Sequence, residues 1–418
     1  MPSDRTDHPG AAPKGGAEGT VPEAVVLALQ SVLGHSSAPI GLHEPTFAGN
    51  EWHYLRDCLD STFVSSVGAY VDRFERELAL YTGAGHAVAV VNGTAALHVA
   101  LLLAGVQRDH EVLLPALTFV ATANAVEYCG AVPHFVDVET RTLGIDPLHL
   151  AEHLRRVTTV RDGIRTNRVT GRPLRVLVPM HTFGHPSDLD GLTDVATEFG
   201  LTIVEDAAES LGSTLRGRHT GTFGRLGVLS FNGNKTITTG GGGAILTDDP
   251  ELARRAKHLT TTAKMPHAWE YRHEEVGYNY RMPNLNAALG CAQLEQLTGF
   301  LAAKRALVHR YLDAFASVPQ VRIFHEPTGA RSNYWLQALL LEPLHAHLRD
   351  AILSATHRAG ILTRPAWVPM HQLPQFADAP RAALDRTEDL ATRIINLPSS
   401  PGLVGTGPSG RSSGPAEA

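Results

Sequence analysis

One lysine, Lys235, stands among hydroxyl, amide and glycine residues in SFNGNKTITTGGGGAI, Ser230 to Ile245, with an apolar segment on each side. A lysine amine gives up its charge readily when desolvated and then attacks carbonyl groups to form imines. Other residues able to do chemistry stand where apolar segments end. They are Gly93 and Thr94 after AVAVVN, Thr118 and Phe119 after EVLLPAL, His181 after LRVLVPM, Asp206 and Glu209 in LTIVEDAAE, and Ser230 closing LGVLS. Singly, each has an ordinary explanation: Gly-Thr caps a helix, Phe119 fills a core, an acidic pair opens a helix and Ser230 ends a strand.

Together they meet the needs of one ligand, pyridoxal phosphate, which requires a lysine for its aldehyde, a carboxylate for its ring nitrogen, a phosphate cradle and an aromatic cover. Asp206 is the candidate carboxylate, keeping the ring nitrogen protonated so that the ring can take up electrons. Backbone amides after Gly93, with the Thr94 and Ser230 hydroxyls, would hold the phosphate at a helix start, where anions are favoured. Phe119 would stack on the ring, and Gly240 to Gly243 would let backbone pass beside Lys235. On this reading Lys235 is the imine-forming residue.

The elements that position these residues follow from the apolar pattern. Ala87 to Val106 is long and apolar enough to suggest a membrane span, but Asn92, Gly93 and Thr94 divide it into strand, turn and helix. Strands are expected at EVLLP, AVPHFVDV, LRVLVPM, LTIVED, LGVLSF and GAILTD, with helices at TFVATANAVEYCG and from Asp188 to Phe199. Such alternation implies an α/β fold with a mostly parallel sheet, whose ligands gather at the carboxyl ends of the strands. A long helix begins near Met282. The expected division is a leader over 1–20, a large domain with an N-terminal segment over 21–290, a small α/β domain over 291–400 and a disordered tail over 401–418. In that tail Gly405, Gly407 and Gly410 imitate a dinucleotide fingerprint, without the strand before it or the helix after it.

Bulk properties suggest a soluble globular chain with room for two domains: 418 residues, 43% hydrophobic and 19% charged, with a net charge of −6. No basic block offers a footprint for nucleic acid. The three cysteines, Cys58, Cys129 and Cys291, are scattered, which suits a reducing cytoplasm. The first twenty residues lack the apolar run of a signal peptide.

The motifs STFVSSVGAYVDRFE, NGTAALHVAL, PALTFVATANAV, VEDAAESLGS, SFNGNKTITTGGGGAI, GYNYRMPNLNAALG and INLPSS, in this order over roughly residues 40 to 400, resemble the DegT-type nucleotide-sugar aminotransferases. The resemblance implies a fold type I (aspartate aminotransferase-like) homodimer with shared active sites. It also implies that Lys235 carries the cofactor and moves the proton, that Asp206 pairs with the ring nitrogen, and that Gly93, Thr94 and Ser230 hold the phosphate. Phe119 matches the stacking aromatic and Glu209 a polar group near the cofactor hydroxyl. Asn279 matches a residue reaching the phosphate from the partner subunit. His181 and Arg281 are candidate substrate contacts. Dehydratases of the family carry histidine in place of the lysine, so Lys235 implies transamination, with L-glutamate as donor and a nucleotide-linked keto sugar as acceptor. FVSSVGAYVDRFE, TTAKMPHAWEY and GYNYRMPNLNAALGCAQLEQL look most like 4-aminotransferases acting on UDP-linked 4-keto-6-deoxy-N-acetylhexosamines of legionaminic-acid-type pathways. The alternatives are a GDP-linked 4-keto-6-deoxymannose acceptor, giving perosamine, and a non-catalytic regulatory homologue. After INLPSS the family pattern continues into a final helix, whereas Gly, Ser and Pro follow here, so the small domain is expected to lack that cover.

Two rival chemistries fit the residues less well. His181 and His185 are spaced like metal ligands, but Gly184 and Pro186 break the helix that would align them. NKT imitates the end of a phosphate loop, with Asn234 where that loop needs glycine.

Overall fold

The computed structural model describes residues 20–404; the expected leader up to residue 19, and the tail from 405 with its glycine decoy, lie outside the described residues. A seven-stranded sheet forms the centre, built from β1 (His86–Val90), β2 (Glu111–Pro115), β3 (Val132–Val136), β4 (Leu174–Leu177), β5 (Thr202–Asp206), β6 (Leu226–Ser230) and β7 (Gly243–Thr247) in the order β1-β7-β6-β5-β4-β2-β3. β7 runs antiparallel to β1 and β6, and the other neighbouring pairs are parallel.

The two-residue period of the strands sorts the core. Val88, Val112, Val204, Val228 and Ile245 point into one cluster, beneath the helices Gly93–Leu103 and Val120–Tyr128. Their neighbours Ala89, Leu229 and Leu246, and farther along Leu113, Leu177 and Ile203, point to the opposite face. A sheet covered on both sides needs apolar residues at nearly every strand position, which is why these strands read as continuous apolar runs. Ala87–Val106 is strand, turn and helix, and no described helix is long and apolar enough to cross a membrane.

A second, four-stranded antiparallel sheet comprises β8 (Val321–Ile323), β9 (Gln337–Leu341), β10 (Arg364–Pro365) and β11 (Ile394–Leu397), ordered β8-β9-β11-β10. The helix Asn284–Phe315 spans both units without a break. Its first half packs Ala287 and Leu297 against Phe74, and its second half packs Leu307 and Tyr311 into the small unit. The expected boundary at 290 therefore falls inside one rigid element.

Two further boundaries differ from expectation. The helix Val21–Leu33 belongs with the small unit, because Val25, Leu29 and Leu33 share a core with Leu307, Tyr311 and Ile352. The expected tail also begins too early: Pro401–Val404 forms a short 3-10 helix with Pro401 and Leu403 buried, and Leu403 joins that same core.

Candidate active site

The parallel strands end on one edge of the large sheet, and seven of the sequence-selected residues meet there. Gly93, Thr94, Phe119, Asp206, Glu209, Ser230 and Lys235 line a cavity of about 240 Å³. The helix Gly93–Leu103 starts at this cavity because Asn92 is extended (φ −168°, ψ 167°) and its side chain accepts a hydrogen bond from the Ala95 amide at 2.8 Å. A Cβ on Gly93 would sit 2.9 Å from the Ser230 Cβ, so glycine lets the helix start close against the end of β6. Gly243 answers a need different from the one expected. A Cβ there would lie 2.6 Å from the Asn92 carbonyl carbon, so β7 must be bare to pass this helix start, not to clear Lys235.

Asp206 closes β5 and is buried. Its carboxylate accepts the Thr122 hydroxyl at 2.7 Å and the Ala208 amide at 3.2 Å. Burial raises its pKa, while these bonds and the charge of Lys235 oppose the rise. Glu209 accepts the Phe183 amide on one oxygen at 2.9 Å, and its other oxygen lies 3.3 Å from Lys235 Nζ. Burial dominates there, and the Glu209 pKa is pushed up to about 7 against the pull of Lys235. Phe183 makes its bond from a left-handed conformation (φ 56°), a strained backbone of the kind found at binding sites.

Lys235 lines the cavity with its side chain 12% exposed. The ring of Trp335 faces its ammonium at 3.9 Å, and the Trp335 indole N–H donates to the Asn234 carbonyl at 2.6 Å. The site thus holds an amine, two buried carboxyl groups, hydroxyls and a helix N-terminus around one space. Those features suit a bound group carrying an aldehyde, a basic ring nitrogen and a phosphate.

The structure does not bring the other three candidates to the cavity. His181, expected at the substrate, is fully buried. One ring nitrogen lies 3.1 Å from the Glu205 carboxylate and the other accepts the Ser187 amide at 3.1 Å, so it braces the strand ends instead. Arg281, the other expected substrate contact, is held beside β1 by a backbone bridge to Val90, and its guanidinium approaches Asp72 at 3.9 Å. Asn279 is exposed on the outer segment bridged to Thr261 and is not among the residues lining this cavity.

Other residues at the site escaped the sequence reading. Thr122 stands one helical turn after Thr118, and that spacing was a usable signal, since the two hydroxyls lie 3.0 Å apart. Trp335, Arg364, Trp367 and Asn396 arrive from the small unit and line a second, adjoining cavity of about 450 Å³. Nothing in their local sequence announces this.

Comparison with known proteins gives a consistent result. The sequence profile of the DegT/DnrJ/EryC1/StrS aminotransferase family matches residues 45–406. The chain is 36% identical over 370 residues to a GDP-perosamine synthase of Escherichia coli O157:H7, covering 87% of this chain and 94% of that protein. It is 37% identical over 366 residues to a GDP-perosamine synthase of Caulobacter vibrioides, covering 87% and 94%. Among solved structures it is similar to the aminotransferase TlmJ from Streptoalloteichus hindustanus, with a TM-score of 0.78 and 28% identity, covering 87% of this chain and 94% of that one.

Proposed function

The chain belongs to the DegT/DnrJ/EryC1/StrS aminotransferase family, and from that membership we propose that it moves an amino group from L-glutamate to C4 of a nucleotide-linked 4-keto-6-deoxy sugar. It is a sugar aminotransferase and its cofactor is pyridoxal phosphate. The observation that carries the reading is the convergence of Gly93, Thr94, Ser230, Asp206 and Lys235 on one cavity.

Asp206 would meet the ring nitrogen, with Thr122 and the Ala208 amide keeping its carboxylate oriented. Thr94, Ser230 and the amides of the helix start would hold the phosphate, Phe119 would cover the ring, and Glu209 would lie near its hydroxyl. Pyridoxal phosphate bound there supplies an aldehyde that takes up the amine and a ring that accepts electrons when a substrate carbon loses its proton. Lys235 Nζ would be the group that takes up and returns that proton beside the substrate carbon. Glu209, 3.3 Å from Lys235 and with a pKa near 7, can hold or return a proton at working pH. Since Lys235 and the same cavity would serve both half-reactions, donor and acceptor would visit the site in turn.

The acceptor is best read as a GDP-linked 4-keto-6-deoxymannose, since the E. coli and C. vibrioides relatives are GDP-perosamine synthases. The UDP-linked N-acetylhexosamine reading keeps the support of its motif resemblance alone. A homodimer is part of the proposal. Asn279 lies away from its own cavity, and Trp269 and Tyr271, each 80% exposed on the same outer segment, offer apolar surface for a second copy.

Visible absorption of the purified protein tests the reading. A band from lysine-bound pyridoxal phosphate should bleach with L-glutamate, recover with the GDP-linked keto sugar, and be absent from Lys235→Ala. A colourless protein that cannot be loaded with the cofactor sinks it.

A further inference from the structure

The larger cavity shares Phe119, Glu209, Asn232 and Lys235 with the smaller one, and its far wall is the edge of the small sheet. Arg364 and Asn396 are register partners across β10 and β11, so their side chains stand next to each other, and both line this cavity. Asn396 is 4% exposed, yet its Oδ1 has no hydrogen-bond partner. A buried acceptor without a donor is unfavourable, and its position in a cavity wall points to a ligand that brings the donor.

Arg364 is exposed, and among the described residues no hydrogen bond or ion pair holds its guanidinium. The one acidic residue lining this cavity is Glu209, beside Lys235, and much of the remaining wall is Trp335, Trp367, Leu336 and Pro365. The space therefore offers a hydroxyl acceptor, aromatic faces and one unpaired cation.

We infer that Arg364 and Asn396 form the subsite for the nucleotide-linked sugar: Asn396 accepts a hydrogen bond from a hexose hydroxyl, and Arg364 pairs with the diphosphate. The indoles face the C–H surface and methyl group of the ring. The inference rests on the aminotransferase reading above and narrows it. The donor's α-carboxylate is one bond from the reacting carbon and must lie beside Lys235, whereas the second carboxylate of L-glutamate reaches farther and competes for Arg364, so the titration below separates donor from nucleotide. In a hexose aminated at C4, the diphosphate on C1 lies across the ring from the reacting carbon. That separation suits an exposed arginine and a nearly buried lysine lining one cavity.

Calorimetric titration of the cofactor-loaded protein with GDP, UDP and the free nucleosides separates these roles. Arg364→Gln should weaken diphosphate binding about 10- to 100-fold, the range for a charge-assisted hydrogen-bonded pair. It should leave nucleoside binding unchanged, and Arg364→Lys should restore part of the loss. The concentration of L-glutamate that half-saturates bleaching should stay within about twofold of wild type in both variants. Asn396→Ala should leave GDP binding and glutamate bleaching unaltered and weaken only the sugar-linked nucleotide. The inference is overturned if GDP and UDP bind Arg364→Gln as they bind wild type, if neither binds wild type, or if glutamate is the ligand that loses affinity. Failure of the underlying reading looks different: wild type shows no visible band, or none that glutamate bleaches.

Discussion

Two lysines in this molecule are held in opposite ways. Lys235 faces a cavity, with the Glu209 carboxyl at 3.3 Å and the Trp335 ring at 3.9 Å. Lys304, on the long helix, is fully buried and donates to three backbone carbonyls, those of Tyr334 at 3.3 Å, Trp335 at 3.0 Å and Ser399 at 2.6 Å. No ion pair with a carboxylate holds Lys304 among the described residues, and burial pulls its pKa well below the ordinary lysine value. Desolvation alone thus does not make a reactive amine. Lys235 has space for an electrophile and a proton-exchanging neighbour, whereas Lys304 has its donors committed to backbone. The two are joined through Trp335, whose carbonyl is held by one lysine and whose ring covers the other.

The comparison breaks most sharply if the two lysines exchange phenotypes. Lys235→Ala should lower turnover by at least about 10³-fold, from loss of the nucleophile and proton carrier, while its urea midpoint stays near wild type. Lys304→Met should do the reverse. Three buried carbonyls lose their donor at about 1–3 kcal/mol each, partly offset because no amine has to be buried, so a net loss of about 3 kcal/mol is expected. Folded Lys304→Met should still show the visible band and bleach with glutamate. Stable but inactive Lys304→Met would show that Lys304 takes part in the chemistry.

This division was only half legible in the sequence. The strand-end residues could be read because a parallel sheet delivers successive strand termini to one edge, so Gly93, Asp206, Ser230 and Lys235 were related by topology before any contact was known. Residues held by long-range packing gave no such signal. Lys304 sits in LAAKRAL, an ordinary helical stretch, and its burial depends on loops thirty and more positions away. Arg364 and Asn396 meet only through strand pairing. His181 misled for a related reason: it stands at a strand end like the others, but the underlying Glu205 turns its ring into the interior. Proximity in sequence groups the helix Val21–Leu33 with the large domain, whereas packing places it with the small unit.

Titration gives a finer contrast. Glu209 has a folded-state pKa near 7 against an ordinary value of 4.5, so the folded apoprotein binds that proton more tightly than the unfolded chain does. Its contribution is fully present below pH about 4.5 and is lost as pH rises through about 7, with a slope of at most about 1.4 kcal/mol per pH unit. Lys304 is depressed, so its contribution has the opposite sign and grows as pH rises toward the ordinary lysine value. Urea denaturation of the apoprotein at several pH values should show that Glu209→Gln removes a falling component between pH 5 and 7, and that Lys304→Met removes a rising one. Matching pH profiles in the two variants would mean that the cavity and the buried joint are not electrostatically distinct.

The smallest expected effect tests the link between the two lysines. Trp335→Phe keeps an aromatic face over Lys235 but loses the indole bond to Asn234, and Trp335→Leu loses both. A cation–π contact of this kind contributes about 0.5–2 kcal/mol. Without the ring and its bond to Asn234 the Lys235 side chain is less firmly placed over the cavity, so the rate at which the visible band forms on adding pyridoxal phosphate to apoprotein should fall about 3- to 10-fold in Trp335→Leu, and less in Trp335→Phe. Lys304 holds the carbonyl of the same residue, so its removal should loosen the ring that Trp335→Leu deletes. The double variant Lys304→Met/Trp335→Leu should then form the band faster than the product of the single effects, by a coupling of at least about 0.5 kcal/mol. Strict additivity would show that the ring keeps its place without Lys304, leaving that lysine to stabilise the fold and nothing more.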